Sequence, residues 1–198
     1  MKVFTKENTL KGFLAGIFIG LGGCVFLKCP YKEVGAFLFA CGLISVILFK
    51  LNLYTGKVAY ARKFKDIPNL VYMCILNFIG AGIIGLMAST YMQDSALKVV
   101  EAKFLVDYWT VFLKAMLCGV CIYLAVELYK KSQSFITVIM PVMLFIAAGF
   151  EHCVANAFYF AAARCFTLDA LVFSVVGFLG NAAGSIILDI LIKNVENN

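Results

Sequence analysis

Charge is scarce in this chain. Asp, Glu, Lys and Arg make up only 14% of its 198 residues, against about 25% in a soluble domain. A water-soluble globule of this composition would have far too few polar groups for its surface. That excludes an ordinary cytosolic enzyme, a disordered chain and a nucleic-acid module. Histidine occurs once, as His152. No His/Cys spacing suggests a zinc site, and no metal or cofactor is expected.

Apolar residues make up 63% of the chain, and the mean hydropathy is +0.96. That share is about 125 residues, enough for about six membrane-spanning helices at about 20 residues each. The remaining residues must cover all loops and both ends, so no sizeable extramembrane domain fits. The eight cysteines mostly sit inside apolar runs, where Cys behaves as a small hydrophobe. Cys118 and Cys121 form a CxxC in the middle of a span, without the βαβ context that gives this spacing a redox meaning.

The apolar segments are Leu10–Leu27, Glu33–Leu51, Pro68–Tyr91, Tyr108–Tyr129, a fifth that begins near Phe135 and breaks near Gly149, and Asp169–Ile192. The first reads as a span, not a cleaved signal peptide. Basic residues at the chain ends and in alternate loops set the orientation. Lys2, Lys6, Lys11, Arg62, Lys63, Lys65, Lys130, Lys131 and Lys193 fall on one side; Lys28, Lys32, Lys98, Lys103 and Arg164 fall on the other. This bias predicts both termini in the cytoplasm and a multi-pass protein of the cytoplasmic (inner) cell membrane. The net charge of +6 is thus an orientation signal, and no nucleic-acid partner is expected.

Two segments are interrupted. The second carries Lys50, Asn52, Thr55, Gly56 and Lys57, and the fifth carries Gly149, Glu151, His152 and Asn156. Irregular polar backbone at membrane depth is tolerated only when it is buried in protein or lines a cavity. The halves also echo each other. Asn77 with Gly80 is matched by Asn181 with Gly184, 104 residues later. Phe13-Leu14 is matched by Phe112-Leu113, 99 residues later. Three spans with a broken middle one therefore occur twice, over about 10–91 and 104–192 of a single domain, 1–198. An odd number of spans inverts the second copy, and paired interruptions in inverted repeats point to a transport site. Gly12, Gly16 and Gly20, and likewise Gly80, Gly82 and Gly85, form small faces suited to close helix packing.

Several stretches resemble the formate/nitrite transporter family. Leu53-Tyr54-Thr55-Gly56 is similar to the loop that breaks its second helix. Gly149-Phe150-Glu151-His152-Cys153-Val154-Ala155-Asn156 is similar to the family's pattern in the broken fifth helix. The resemblance covers nearly the whole chain. It implies an all-α, aquaporin-like bundle of six transmembrane helices, two interrupted, in a homopentamer within the lipid bilayer. The implied function is a channel for small monovalent anions of weak acids such as formate, nitrite or hydrosulfide. His152 and Thr55 take the place of the central pore pair, with Asn156 near them. Lys103 takes the place of the buried lysine before the fourth helix, with Lys114 as its rival. Leu43, Tyr54, Ile122 and Phe145 fall at the hydrophobic constrictions, with Phe39 as a further candidate. Asn77 and Asn181 are expected to serve the loops structurally. Glu151 is expected to face away from the pore and satisfy backbone donors of the break. Departures include Asn52 in place of an acidic residue, Gly119 in place of Asn, Tyr54 in place of Phe and Cys153 in place of Ser.

The resemblance implies no enzyme activity. Two other functions remain open on the residues: a pore for a small neutral solute, and a membrane thiol oxidoreductase using Cys118 and Cys121. In vesicles, a C118S/C121S double variant should carry anion as fast as the parent and without a redox partner. Loss of flux in correctly inserted protein would favour the thiol chemistry.

Overall fold

The computed structural model describes residues 5–61 and 63–197. Lys2 and Arg62, two of the orientation residues, lie outside the described residues. Helices α1 (Lys6–Lys28), α2 (Lys32–Leu48) and α3 (Tyr54–Lys57) come first. They are followed by α4 (Ile67–Phe104), α5 (Tyr108–Ser132), α6 (Ile136–Ala147), α7 (Cys153–Ala162) and α8 (Leu168–Glu196). Among the described residues there are no strands. By length and composition α1, the stretch Phe64–Phe104, α5 and α8 can each cross a membrane. The second and fifth apolar segments are each split into shorter pieces.

Local sequence sets the helix ends. Thr5, Asp107 and Thr167 precede α1, α5 and α8, and their side chains accept the N–H of Asn8, Thr110 and Ala170 at 3.2, 3.0 and 3.2 Å. The bond from Thr110 holds the Asp107 carboxyl below the usual carboxylate range. The third apolar segment was expected to end at Tyr91, but α4 runs on to Phe104. No Gly or Pro interrupts 92–104, and Met92, Ala96 and Val100 continue a buried stripe at helical spacing. Lys98 and Lys103, read as loop lysines, therefore lie on a helix.

Glycine lets the long helices cross closely. A Cβ on Gly80 of α4 would fall 2.2 Å from the Phe13 carbonyl of α1, and one on Gly184 of α8 would fall 1.9 Å from the Met116 carbonyl of α5. Gly119 packs the same way against the Asn181 carbonyl, at 2.3 Å, so glycine there serves the α5–α8 contact. Gly82 is different: its nearest neighbour would be 4.0 Å away. The α4 glycines are thus not one ridge; Gly80 meets α1 and Gly85 meets Phe158 of α7.

The two breaks share a construction. Both α2 and α6 close through a residue in the left-handed region, Lys50 (φ 51°) and Gly149 (φ 68°). Behind each, the next N–H reaches five residues back, Leu51 to Val46 and Phe150 to Phe145, both at 2.9 Å. A buried amide then holds each short helix. Asn77 Oδ1 accepts the Tyr54 N–H at 2.8 Å, and its Nδ2 donates to the carbonyls of Asn52 (2.9 Å) and Gly12 (2.8 Å). Asn181 Oδ1 accepts the Cys153 N–H at 2.9 Å, and its Nδ2 donates to the carbonyls of Glu151 and Ala115, both at 2.8 Å. Each amide satisfies the first residue of the short helix, the residue two before it, and the first helix of its own half.

Two stability predictions follow from this packing. G80A should melt well below the parent in detergent, whereas G82A should melt with it. N181L strands three buried backbone groups at about 1–3 kcal/mol each. It should lower the thermal midpoint more than any single exposed substitution.

Candidate functional site

The breaks bring Thr55 and His152 together. Their Oγ1 and Nε2 atoms are 3.0 Å apart although the residues are 97 positions apart in sequence, and both are buried. His152 also caps α7, its Nδ1 accepting the Ala155 N–H at 3.1 Å. A backbone N–H can only donate, so Nδ1 carries no hydrogen and a neutral ring carries it on Nε2. Nε2 then donates to Thr55 Oγ1, which leaves the threonine hydroxyl hydrogen free for another acceptor. The clamp geometry makes Leu53 the counterpart of His152 in the first half, since each precedes the first residue of its short helix. The imidazole is therefore a feature of one half only.

Aromatic side chains lie over the histidine. The Phe145 ring is 5.8 Å from the imidazole at 25°, and Phe39 meets Phe145 edge-on at 6.0 Å. Phe145 lines a cavity of about 550 Å³ together with His152, Lys103, Lys114, Glu151 and Asn156. The other constriction candidates, Leu43, Ile122 and Tyr54, are buried in the hydrophobic core. Tyr54 stacks on Phe178 of α8 at 4.4 Å and donates its hydroxyl to the Phe178 carbonyl at 2.9 Å. The extra oxygen, compared with Phe, thus ties the short helix α3 to α8.

Glu151 corrects the sequence reading. Its side chain does not serve the backbone of the break; Asn181 does. The Glu151 carboxylate lines the cavity, where Oε2 accepts from Lys103 Nζ at 2.6 Å and from Asn156 Nδ2 at 3.0 Å. The Lys103 and Glu151 side chains are only 14% and 6% exposed, so this is an enclosed ion pair. Because a carboxylate only accepts, Asn156 must turn its Nδ2 toward Glu151. Its Oδ1 is left as a buried acceptor with no hydrogen-bond partner among the described residues. The pairing of Lys103 with Glu151 spans 48 residues and had no local signal. Lys114 lines the same cavity, so both lysines reach it.

Cys118 and Cys121 are buried free thiols on α5. Neither lines the cavity beside His152.

A sequence model of the formate/nitrite transporter family matches residues 2–195. The uncharacterized transporter YrhG of Bacillus subtilis is 30% identical, over 87% of this chain and 78% of that protein. The formate channel BtFdhC of Bacillus thuringiensis is 27% identical, over 76% and 70%. The probable formate transporter of Methanothermobacter thermautotrophicus is 28% identical, over 74% and 71%. Among solved structures, an FNT family ion channel superposes with a TM-score of 0.87 at 21% identity, covering 96% of this chain and 90% of that one. A pentameric formate channel with formate bound superposes with a TM-score of 0.80 at 21% identity, covering 97% of each. The fold is therefore that of these channels. The match over nearly the whole length makes the chain a membrane-spanning member of the formate/nitrite transporter family, whose relatives here are channels and transporters, not enzymes.

Proposed function

We propose that this protein is a channel for small monovalent anions of weak acids, formate first, with nitrite and hydrosulfide as further candidates. In this reading the anion crosses the narrow middle in protonated form. The observation that carries it is the hydrogen-bonded pair Thr55–His152, buried where the two broken segments meet and roofed by Phe145.

Energetics favour the neutral form. Moving a bare carboxylate into a low-dielectric constriction costs tens of kcal/mol in the limiting case. Protonating a carboxylate of pKa about 4 at pH 7 costs about 4 kcal/mol. The polar atoms suit the neutral acid. The Thr55 hydroxyl has a hydrogen to give to a carbonyl-type oxygen. The unpartnered Asn156 Oδ1 can take the O–H that only the protonated acid, or water, possesses. A neutral His152 with its hydrogen on Nε2 is a poor acid, so the transferred proton comes from water in the cavity. His152 acts by fixing the Thr55 hydroxyl, and the clamps of Asn77 and Asn181 fix both short helices around that pair.

The same reading takes residues 1–198 as one pore unit built from the two repeats, 10–91 and 104–192. Five such units would form a homopentamer like the pentameric formate channel it resembles. Both termini would be cytoplasmic in the inner cell membrane. Lys131 near the end of α5 pairs with Glu196 at the end of α8, which supports grouping the ends of these helices on one side.

The test is flux into proteoliposomes of formate, nitrite, hydrosulfide, lactate and acetate across a pH gradient. Formate should exceed empty vesicles and rise as pH falls; if nothing in the panel moves faster than in empty vesicles, the anion-channel reading is lost. T55V, which removes the donor, should cut formate flux about tenfold or more, while T55S should retain it. Purified complex should have the mass of five protomers.

A further inference from the structure

One face of α7, together with its cap, looks into the cavity. His152, Asn156 and Tyr159 follow one another at helical spacing, and all three line it. Seven residues at about 1.5 Å each put His152 and Tyr159 about 10 Å apart along the helix, with Tyr159 farther from the break. Tyr159 is only 7% exposed, yet its hydroxyl makes no hydrogen bond among the described residues. Unlike Asn156 Oδ1, the Tyr159 oxygen is not sealed among protein atoms, so it opens into the cavity that the residue lines. It is the one hydroxyl-bearing side chain among the described residues that line this cavity. The ring has separate work. Lys103 Nζ lies 5.6 Å from its centroid, so the body of the phenol walls the Lys103–Glu151 pair and leaves its tip uncommitted. An O–H this deeply placed with no protein partner calls for water or a solute.

We propose that Tyr159 is a specificity-determining residue whose hydroxyl binds an oxygen of a small oxygen acid, formate or nitrite, and so disfavours hydrosulfide. The inference rests on the channel reading above and names the substrate class within it. Charge hardly separates these solutes, since each is a monovalent anion of a weak acid. Hydrogen bonding does separate them. Formate and nitrite present oxygens that accept well, and their protonated forms carry an O–H. Sulfur accepts and donates only weakly. The solute meets three neutral groups in turn: the Tyr159 hydroxyl, the Asn156 acceptor and the Thr55 hydroxyl. An oxygen acid can satisfy each of them. Hydrosulfide leaves the Tyr159 hydroxyl poorly paired, and a site built to hydrogen-bond its substrate rejects an analogue that cannot do so. Selection then begins about 10 Å outside the Thr55–His152 pair.

The experiment uses the full chain in proteoliposomes, with initial flux of formate, nitrite and hydrosulfide measured against concentration at one pH. Y159F removes the hydroxyl and keeps the ring beside Lys103. It should raise KM for formate and nitrite about fivefold, the effect of one neutral hydrogen bond. Their saturating fluxes should stay close to the parent's, and KM for hydrosulfide should not move. A Y159F variant with the parent's formate KM would overturn the inference while leaving the channel reading intact. So would a Y159F variant that impairs formate and hydrosulfide in equal proportion, which is what a purely structural role of the side chain gives. A parent protein that carries hydrosulfide but neither oxygen acid would also overturn it alone. A parent with no flux of any of the three would overturn both.

Discussion

Everything in this protein depends on satisfying the backbone of two helices that stop inside the membrane. Hydrocarbon offers their backbone groups no partner, and each bare N–H or C=O costs several kcal/mol. The chain meets that requirement with one asparagine per half. Asn77 and Asn181 each take one N–H and give two hydrogens to carbonyls, and both are fully enclosed. Only because these amides hold the short helices can polar side chains meet in the middle of an apolar bundle. The glycine crossings do the complementary work, letting α4 and α8 come close enough to α1 and α5 for a short amide to span the gap.

Around that frame the halves diverge, and the proposed transport pair sits at the divergence. The first half carries Leu53 at the position that His152 holds in the second. The first half contributes a hydroxyl and the second an imidazole, and the two are hydrogen-bonded to each other. The Nδ1 cap on α7 determines which imidazole nitrogen faces Thr55 as a donor. A helix cap and a candidate transport residue are thus one side chain. The Lys103–Glu151–Asn156 group extends the same economy of polar atoms, with a single carboxylate oxygen serving both the ammonium and the amide.

Much of the fold was legible in the sequence. Apolar runs of span length mark segments in contact with lipid, and polar residues inside such runs mark breaks, so residues 50–57 and 149–156 stood out from hydropathy alone. The end of α4 was missed because Gln93, Asp94 and Ser95 look like a loop by polarity, yet none of them breaks a helix. The Gly80–Gly82–Gly85 face was misread because spacing does not say which neighbour each residue meets. Glu151 was misassigned for a similar reason. A carboxylate beside a break can serve backbone donors or a distant cation, and nothing nearby in sequence distinguishes the two.

The sequence by itself determined that the chain lives in a membrane, where its helices break, and which few polar residues occupy the breaks. Those facts follow from the cost of exposing polar groups to hydrocarbon, which is paid residue by residue. Only the tertiary structure decided the partnerships: Thr55 with His152, Lys103 with Glu151, and each asparagine with its own break. Such pairings depend on how closely and at what register whole helices cross, and that is set by packing between segments far apart in the chain.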